Sequence, residues 1–264
     1  MASQLTSSPE ASTSHLRDLV SAEEWSTRVD LAAAYRLVAM YGWDDLIFTH
    51  LSARVPGPDH HFLINPYTHM FDEMTASTLV KIDADGNNIM DTPARVNRAG
   101  FVIHSALHNG RDDAMAVLHL HTPHGQAVSA MAGGLLPHTQ TAMIAHHDIA
   151  YHDFEGIATE LEERDRLVAD LGSKNSMILR NHGTLTIGKS IPEAFLRMYF
   201  LERACQAQVM MLAGGGLALN DPNEGIARKV ESQTTGDRLG SLADEAVWPA
   251  LLRKLDRLNP GFRV

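Results

Sequence analysis

The stretch AVLHLHTPHG, residues 116–125, sets His119 and His121 on alternate positions at the end of an apolar run. On a β-strand, alternate side chains leave the same face, so these two imidazoles project together while Leu120 enters the other side. Their Cα atoms should stand ~6.6–7 Å apart, a gap that two rings can close onto one ion at ~2.0–2.1 Å per bond. A catalytic ion takes a third protein ligand and keeps one position open, and the bend RNHG (180–183) offers His182. An H-x-H pair in a half-exposed strand is often incidental, because solvent-facing positions accept histidine freely. Three features favour a metal here: Ala116, Val117 and Leu118 lead into the pair, Pro123 ends the strand, and a separate histidine sits at another bend. Histidine is also the outlier of the composition, with 15 copies mostly between His50 and His182. A three-histidine site holds Zn2+ best, with Mn2+ or Fe2+ as alternatives.

The elements that must position these rings can be traced along the chain. A helix starts at Ser21, whose hydroxyl and Glu24 form a capping box, and stops at Gly42. IFTHLSARVPG and HFLINPY read as a hairpin turned by Pro56-Gly57-Pro58-Asp59, and TLVKIDADGNNIM repeats the design around Asp85-Gly86-Asn87. NRAGFVIHSALHNG is a helix capped by Asn97 and stopped at Asn109-Gly110, and the H-x-H strand follows it. A second helix begins near Pro123 and runs to Gly133-Gly134. Residues 155–171 have helical periodicity, SMILR and TLTIG are strands on either side of the RNHG bend, and the helix from Ser190 to three glycines should be the longest. Strands occur both consecutively and between helices, which predicts a mainly antiparallel sheet covered by helices.

The composition excludes several classes. The chain has 264 residues, with 22 Lys plus Arg against 32 Asp plus Glu, for a formal charge of -10. No basic stripe is present to neutralise a phosphate backbone, so nucleic acid is not an expected partner. No apolar run approaches the ~20 residues of a membrane span. One cysteine, Cys205, and an N-terminus without a basic segment and apolar core point to a cytoplasmic protein. Residues 1–14 are rich in Ser and Thr and should be a flexible tail. The rest reads as one domain, 15–264, with 217–264 a C-terminal extension. There is no internal repeat, no GxGxxG and no P-loop.

GFVIHSALHNGRDDAMAVLHLHTPHGQAVSAM, followed by LRNHGTLTIG and AFLRMYFLERACQ, resembles the class II aldolase/adducin family over roughly residues 20–215. The resemblance implies an α/β fold, a three-layer α/β/α sandwich around a nine-stranded, mostly antiparallel sheet. It also implies one divalent ion per subunit, Zn2+ first, on His119, His121 and His182, and a homotetramer with active sites between subunits. Adducin heads lack the ligand histidines. The departures matter too: where the sugar-phosphate aldolases carry two phosphate-holding serines and a proton-shuttling glutamate, this chain has Arg98, Ala99 and Gly100. Thr49 and His50 replace the Gly-Asn phosphate loop, and Thr68 replaces a second glycine, so close backbone approach to a phosphate is obstructed.

These departures predict a substrate that is not a sugar phosphate. Arg98 offers a planar fork suited to a carboxylate, although a solvated residue in a helix's first turn is the equal alternative. Asn65 could bond a hydroxyl or carbonyl oxygen, or merely serve the turn before Pro66, and Thr49 is a third substrate-binding candidate. His50, Tyr151 and His152 are candidate proton donors. His104 and His108, four apart on a helix, read as structural, His124 beyond Pro123 is not a ligand, and Met198 and Tyr199 are packing residues. The expected chemistry is carbon–carbon cleavage by an aldolase or decarboxylase on a hydroxy, keto or aromatic acid, through a metal-stabilised enediolate. The alternatives are a non-haem Fe2+ oxygenase acting on an aromatic acid and a non-catalytic, adducin-like interaction module.

Overall fold

The computed structural model describes residues 16–90, 92, 94–156, 162–216 and 218–264, so the expected tail at 1–14 lies outside the described residues. The first long helix, α1 (Ala22–Met40), is capped where predicted, with the Glu24 N–H donating to Ser21 Oγ at 3.1 Å. The second half of the expected capping box does not form. Glu24 instead holds the fully buried Arg28 and, at 2.7 Å, Lys81. A buried guanidinium needs a carboxylate more than an exposed helix N–H does.

The sheet is built from β1 (His50–Arg54), β2 (Phe62–Ile64), β3 (Val80–Ile82), β4 (Ala116–Leu120), β5 (Ile149–His152), β6 (Ser176–Leu179) and β7 (Gly183–Gly188). The order is β3-β2-β1-β4-β7-β6-β5, antiparallel throughout except between β5 and β6. Among the described residues the sheet has seven strands rather than the nine expected. One shortfall has a local cause. At the second predicted hairpin, Asp83 Oδ1 takes the N–H groups of Asp85 and Asn87 at 2.9 and 2.8 Å. Side-chain capture of backbone donors competes with a strand ladder, and only the isolated bridge Ile82↔Asn88 survives.

Alternation on β4 sorts the layers. Leu118 and Leu120 enter one core with α1, α6 (Ile191–Leu212) and α9 (Trp248–Leu258), while Val117 packs toward α2 (Arg98–Gly110) and α5 (Glu163–Leu171). Two short helices, α3 (Pro123–Ser129) and α4 (Gln140–His146), complete the first layer beside Ile149 and Ile178. α3 stops at Ser129, earlier than predicted, while α6 is the longest helix, as expected. α4 and β5 were not predicted; seven and four residues are too short for periodicity to register.

The C-terminal region is integrated into the core. α7 (Glu224–Thr234) is followed by α8 (Arg238–Leu242), which passes through a π turn (Ala243–Val247) into α9. Trp248, Leu255 and Phe262 join the α1 core, and the last residues accept from the backbone, Ala76 N–H to Phe262 O at 2.9 Å and Ser77 N–H to Val264 O at 3.0 Å.

Candidate metal centre

β4 delivers His119, His121 follows just past the end of the strand, and the bend between β6 and β7 delivers His182. Asn181 makes that bend in the left-handed conformation, φ 56°, which asparagine tolerates better than most residues. His121 Nε2 stands 3.1 Å from His119 Nε2 and 2.9 Å from His182 Nε2. One ligand atom from each ring lies within 4.8 Å of the others, and this is the one such group of three among the described residues. Three Nε2 atoms turned toward a common point are the donor set of a divalent ion with open positions. The rings are held from behind: His119 Nδ1 lies 3.1 Å from Thr184 O, and His121 Nδ1 lies 3.0 Å from Asp45 Oδ2. Burial and the neighbouring imidazoles push the His119 ring well below the usual histidine range and His182 down to about 4. Neutral imidazole is the ligating form.

His50 lies across from His119 in the β1–β4 register, with the two rings stacked at 6.2 Å. A Cβ built on Gly100 would meet His50 Cγ at 2.6 Å, so this ring fills the space that a side chain at position 100 would need. His50 Nε2 is 3.0 Å from Asn97 Nδ2, its Nδ1 is buried without a partner, and burial lowers its pKa to about 3.

Thr49 keeps a glycine-like backbone, φ 70°, with its Oγ1 buried and unbonded. Asn65 is buried, its Oδ1 accepting from Tyr35 Oη at 2.8 Å while Nδ2 has no partner. Arg98 opens α2 as predicted, and its side chain lies outside the described residues.

β5 separates the other two candidates. His152 is buried on the same side of the sheet as His119, its Nδ1 2.7 Å from Asp170 Oδ2, and with His182 it lines a small pocket that also includes Phe154 and Glu163. Its Nε2 makes no hydrogen bond but faces the Glu163 carboxylate, with Oε1 at 3.4 Å. Tyr151 faces the opposite layer, where its hydroxyl accepts from Leu135 N at 3.0 Å.

His104 and His108 are structural, as predicted. Both rings meet Ser52 Oγ, at 2.6 and 2.7 Å, and His108 Nδ1 meets Ala114 O at 2.7 Å. His124 turns away to Glu202 at 2.8 Å. Met198 is fully buried and Tyr199 packs on the same core. Asp45, Asp170 and Ser52 were not anticipated. Each lies far along the chain from the ring it meets, 76 positions for Asp45 and His121, so no local spacing signals the pairing.

Comparison with known proteins agrees with this architecture. The family model described as "Class II Aldolase and Adducin N-terminal domain" matches residues 29–209. A Caulobacter vibrioides protein described as a candidate class 2 aldolase is 55% identical, covering 95% of this chain and 96% of its own. Alpha-adducin of Mus musculus is 42% identical over 89% of this chain, which spans only 33% of that longer protein. Among solved structures, an aldolase II superfamily protein from Pseudomonas syringae superposes with a TM-score of 0.88 at 49% identity, covering 94% of this chain and 99% of that one. The L-fuculose 1-phosphate aldolase of Glaciozyma antarctica has a TM-score of 0.80 at 28% identity, covering 91% and 94%. With the family model matching residues 29–209 and a relative 55% identical over 95% of the chain, the chain belongs to the class II aldolase and adducin family.

Proposed function

We propose that this protein is a metal-dependent carbon–carbon lyase acting on a small, non-phosphorylated hydroxy or keto acid. The observation that carries the reading is the convergence of the Nε2 atoms of His119, His121 and His182, with Gly100 under the His50 ring where the sugar-phosphate aldolases carry a glutamate. A divalent ion held by these rings, Zn2+ first, supplies Lewis acidity toward the substrate's carbonyl oxygen.

The surrounding residues take the remaining roles. Thr49 Oγ1 and Asn65 Nδ2, buried without partners, are donors available to substrate oxygens, because such groups are rarely left unmet in the working state. Arg98, at the start of α2, meets the carboxylate. His152, set between Asp170 on Nδ1 and Glu163 3.4 Å from Nε2 in the pocket it shares with His182, takes the hydroxyl proton as the carbon–carbon bond breaks. The bonding electrons pass toward the carbonyl oxygen, the aldehyde leaves, and the proton taken up by His152 is returned to the new carbon centre. Exposed Leu46, Phe48 and Phe154 form an apolar rim near the triad, consistent with a homotetramer whose sites lie between subunits.

Hydroxy and keto acids and sugar phosphates, offered side by side to protein purified without a histidine tag, test the reading. Cleavage of an acid that His119→Ala abolishes, and that His152→Gln slows without changing metal content, is expected. Turnover of a sugar phosphate that His119→Ala abolishes overturns the substrate class. The similarity to alpha-adducin favours a second reading, a metal-free interaction module; absence of stoichiometric metal from the purified protein would establish it over the enzyme.

A further inference from the structure

We infer that Asp45 is a positioning residue of the metal centre, its carboxylate setting the tautomer of His121 and adding the negative charge that a divalent cation favours. The inference rests on reading the three histidines as a metal site. For Nε2 to offer a lone pair, the ring proton must sit on Nδ1, and the hydrogen-bond partner of Nδ1 decides this. His119 has a neutral anchor in the backbone oxygen of Thr184, whereas His121 has an ionisable one, Asp45 Oδ2 at 3.0 Å.

The backbone between α1 and β1 is bent to make this contact. Phe48 N–H donates to Asp45 O at 2.8 Å, and both Leu46 (φ 52°) and Thr49 (φ 70°) adopt the left-handed region without being glycine. Each such residue is held in a sparsely populated conformation at a cost that the surrounding structure must offset. Nothing in the stability of the fold repays that cost at Asp45, because its side chain is 42% exposed and an ion pair there is worth little to folding. What the turn achieves is delivery of a carboxylate to the outer nitrogen of a ligand ring. The same turn leads directly into Thr49 and His50.

The test uses the untagged, metal-free full chain and Co2+, with affinity read by competition against a chromophoric chelator and ring tautomers read by 15N NMR. Asp45→Ala should weaken Co2+ binding ~10–100-fold and release His121 from a single Nδ1–H tautomer, while leaving the urea midpoint of the metal-free protein unchanged. Asp45→Asn keeps an acceptor without the charge, and should fall between Asp45→Ala and wild type. If Asp45→Ala binds Co2+ as tightly as wild type, or loses affinity only in proportion to a lost fold, the inference is overturned. A wild-type chain that takes up no Co2+ overturns the metal reading itself, so the two failures are distinguishable.

Discussion

The imidazole of His50 occupies the volume above Gly100: a Cβ added there would lie 2.6 Å from both Cγ and Cδ2 of the ring. A side chain at position 100 and the His50 ring therefore compete for one volume. Gly100→Ala should destabilise the protein by ~1–3 kcal/mol through overpacking, and much of that cost should vanish in a His50→Ala background. Urea denaturation of the two single variants and the double variant measures the coupling. Simple additivity would show that the ring moves aside freely.

Metal content should separate the histidines by role. His119→Ala should eliminate stoichiometric metal, whereas His124→Ala should leave it intact, because His124 is bonded to Glu202 rather than turned into the triad. Elemental analysis of the two untagged variants decides between this ligand set and one drawn from the neighbouring His124.

Thr49→Gly should stabilise the protein by ~1 kcal/mol, since glycine accepts the φ of 70° without strain and the substitution removes a buried, unbonded hydroxyl. The gain in backbone freedom of the unfolded chain subtracts from this without reversing it. The urea midpoint reports the sign, and a loss of stability would mean that the Thr49 methyl packs better than its backbone suffers.

His108 should contribute to acid sensitivity. Burial holds its pKa down to about 3, with Ser52 Oγ and Ala114 O on its nitrogens, Phe62 stacked on its face, and the Arg54 charge and the His104 ring nearby. A histidine with a depressed folded pKa contributes its full stability above the ordinary value near 6.5. That stability is lost as pH falls from there toward 3, because the unfolded chain binds the proton first. Between pH 7 and pH 5 the loss from one such group is about 2 kcal/mol. In His108→Gln, denaturation at the two pH values should show this increment missing, whatever the overall stability of the variant.

How much of this was legible beforehand varies with the range of the interaction. The H-x-H pair could be read as a chelate because strand geometry is local: alternation alone puts two rings on one face. The ends of α1 and α6 were legible for the same reason, with Ser21 and Ser190 each receiving the N–H three residues on. At Asp83, by contrast, a side chain outcompeted a strand ladder, and the predicted hairpin shrank to a single bridge. Composition and local periodicity thus determined the layered class of the fold, and the motifs determined the triad. Only the tertiary structure decided that His50 stands over Gly100, that Asp45 holds His121 and that Asp170 holds His152. The physical reason is that the sheet order β1-β4-β7-β6-β5 brings distant segments side by side. Hydrogen bonds across such a crossing depend on where each backbone lies rather than on spacing along the chain.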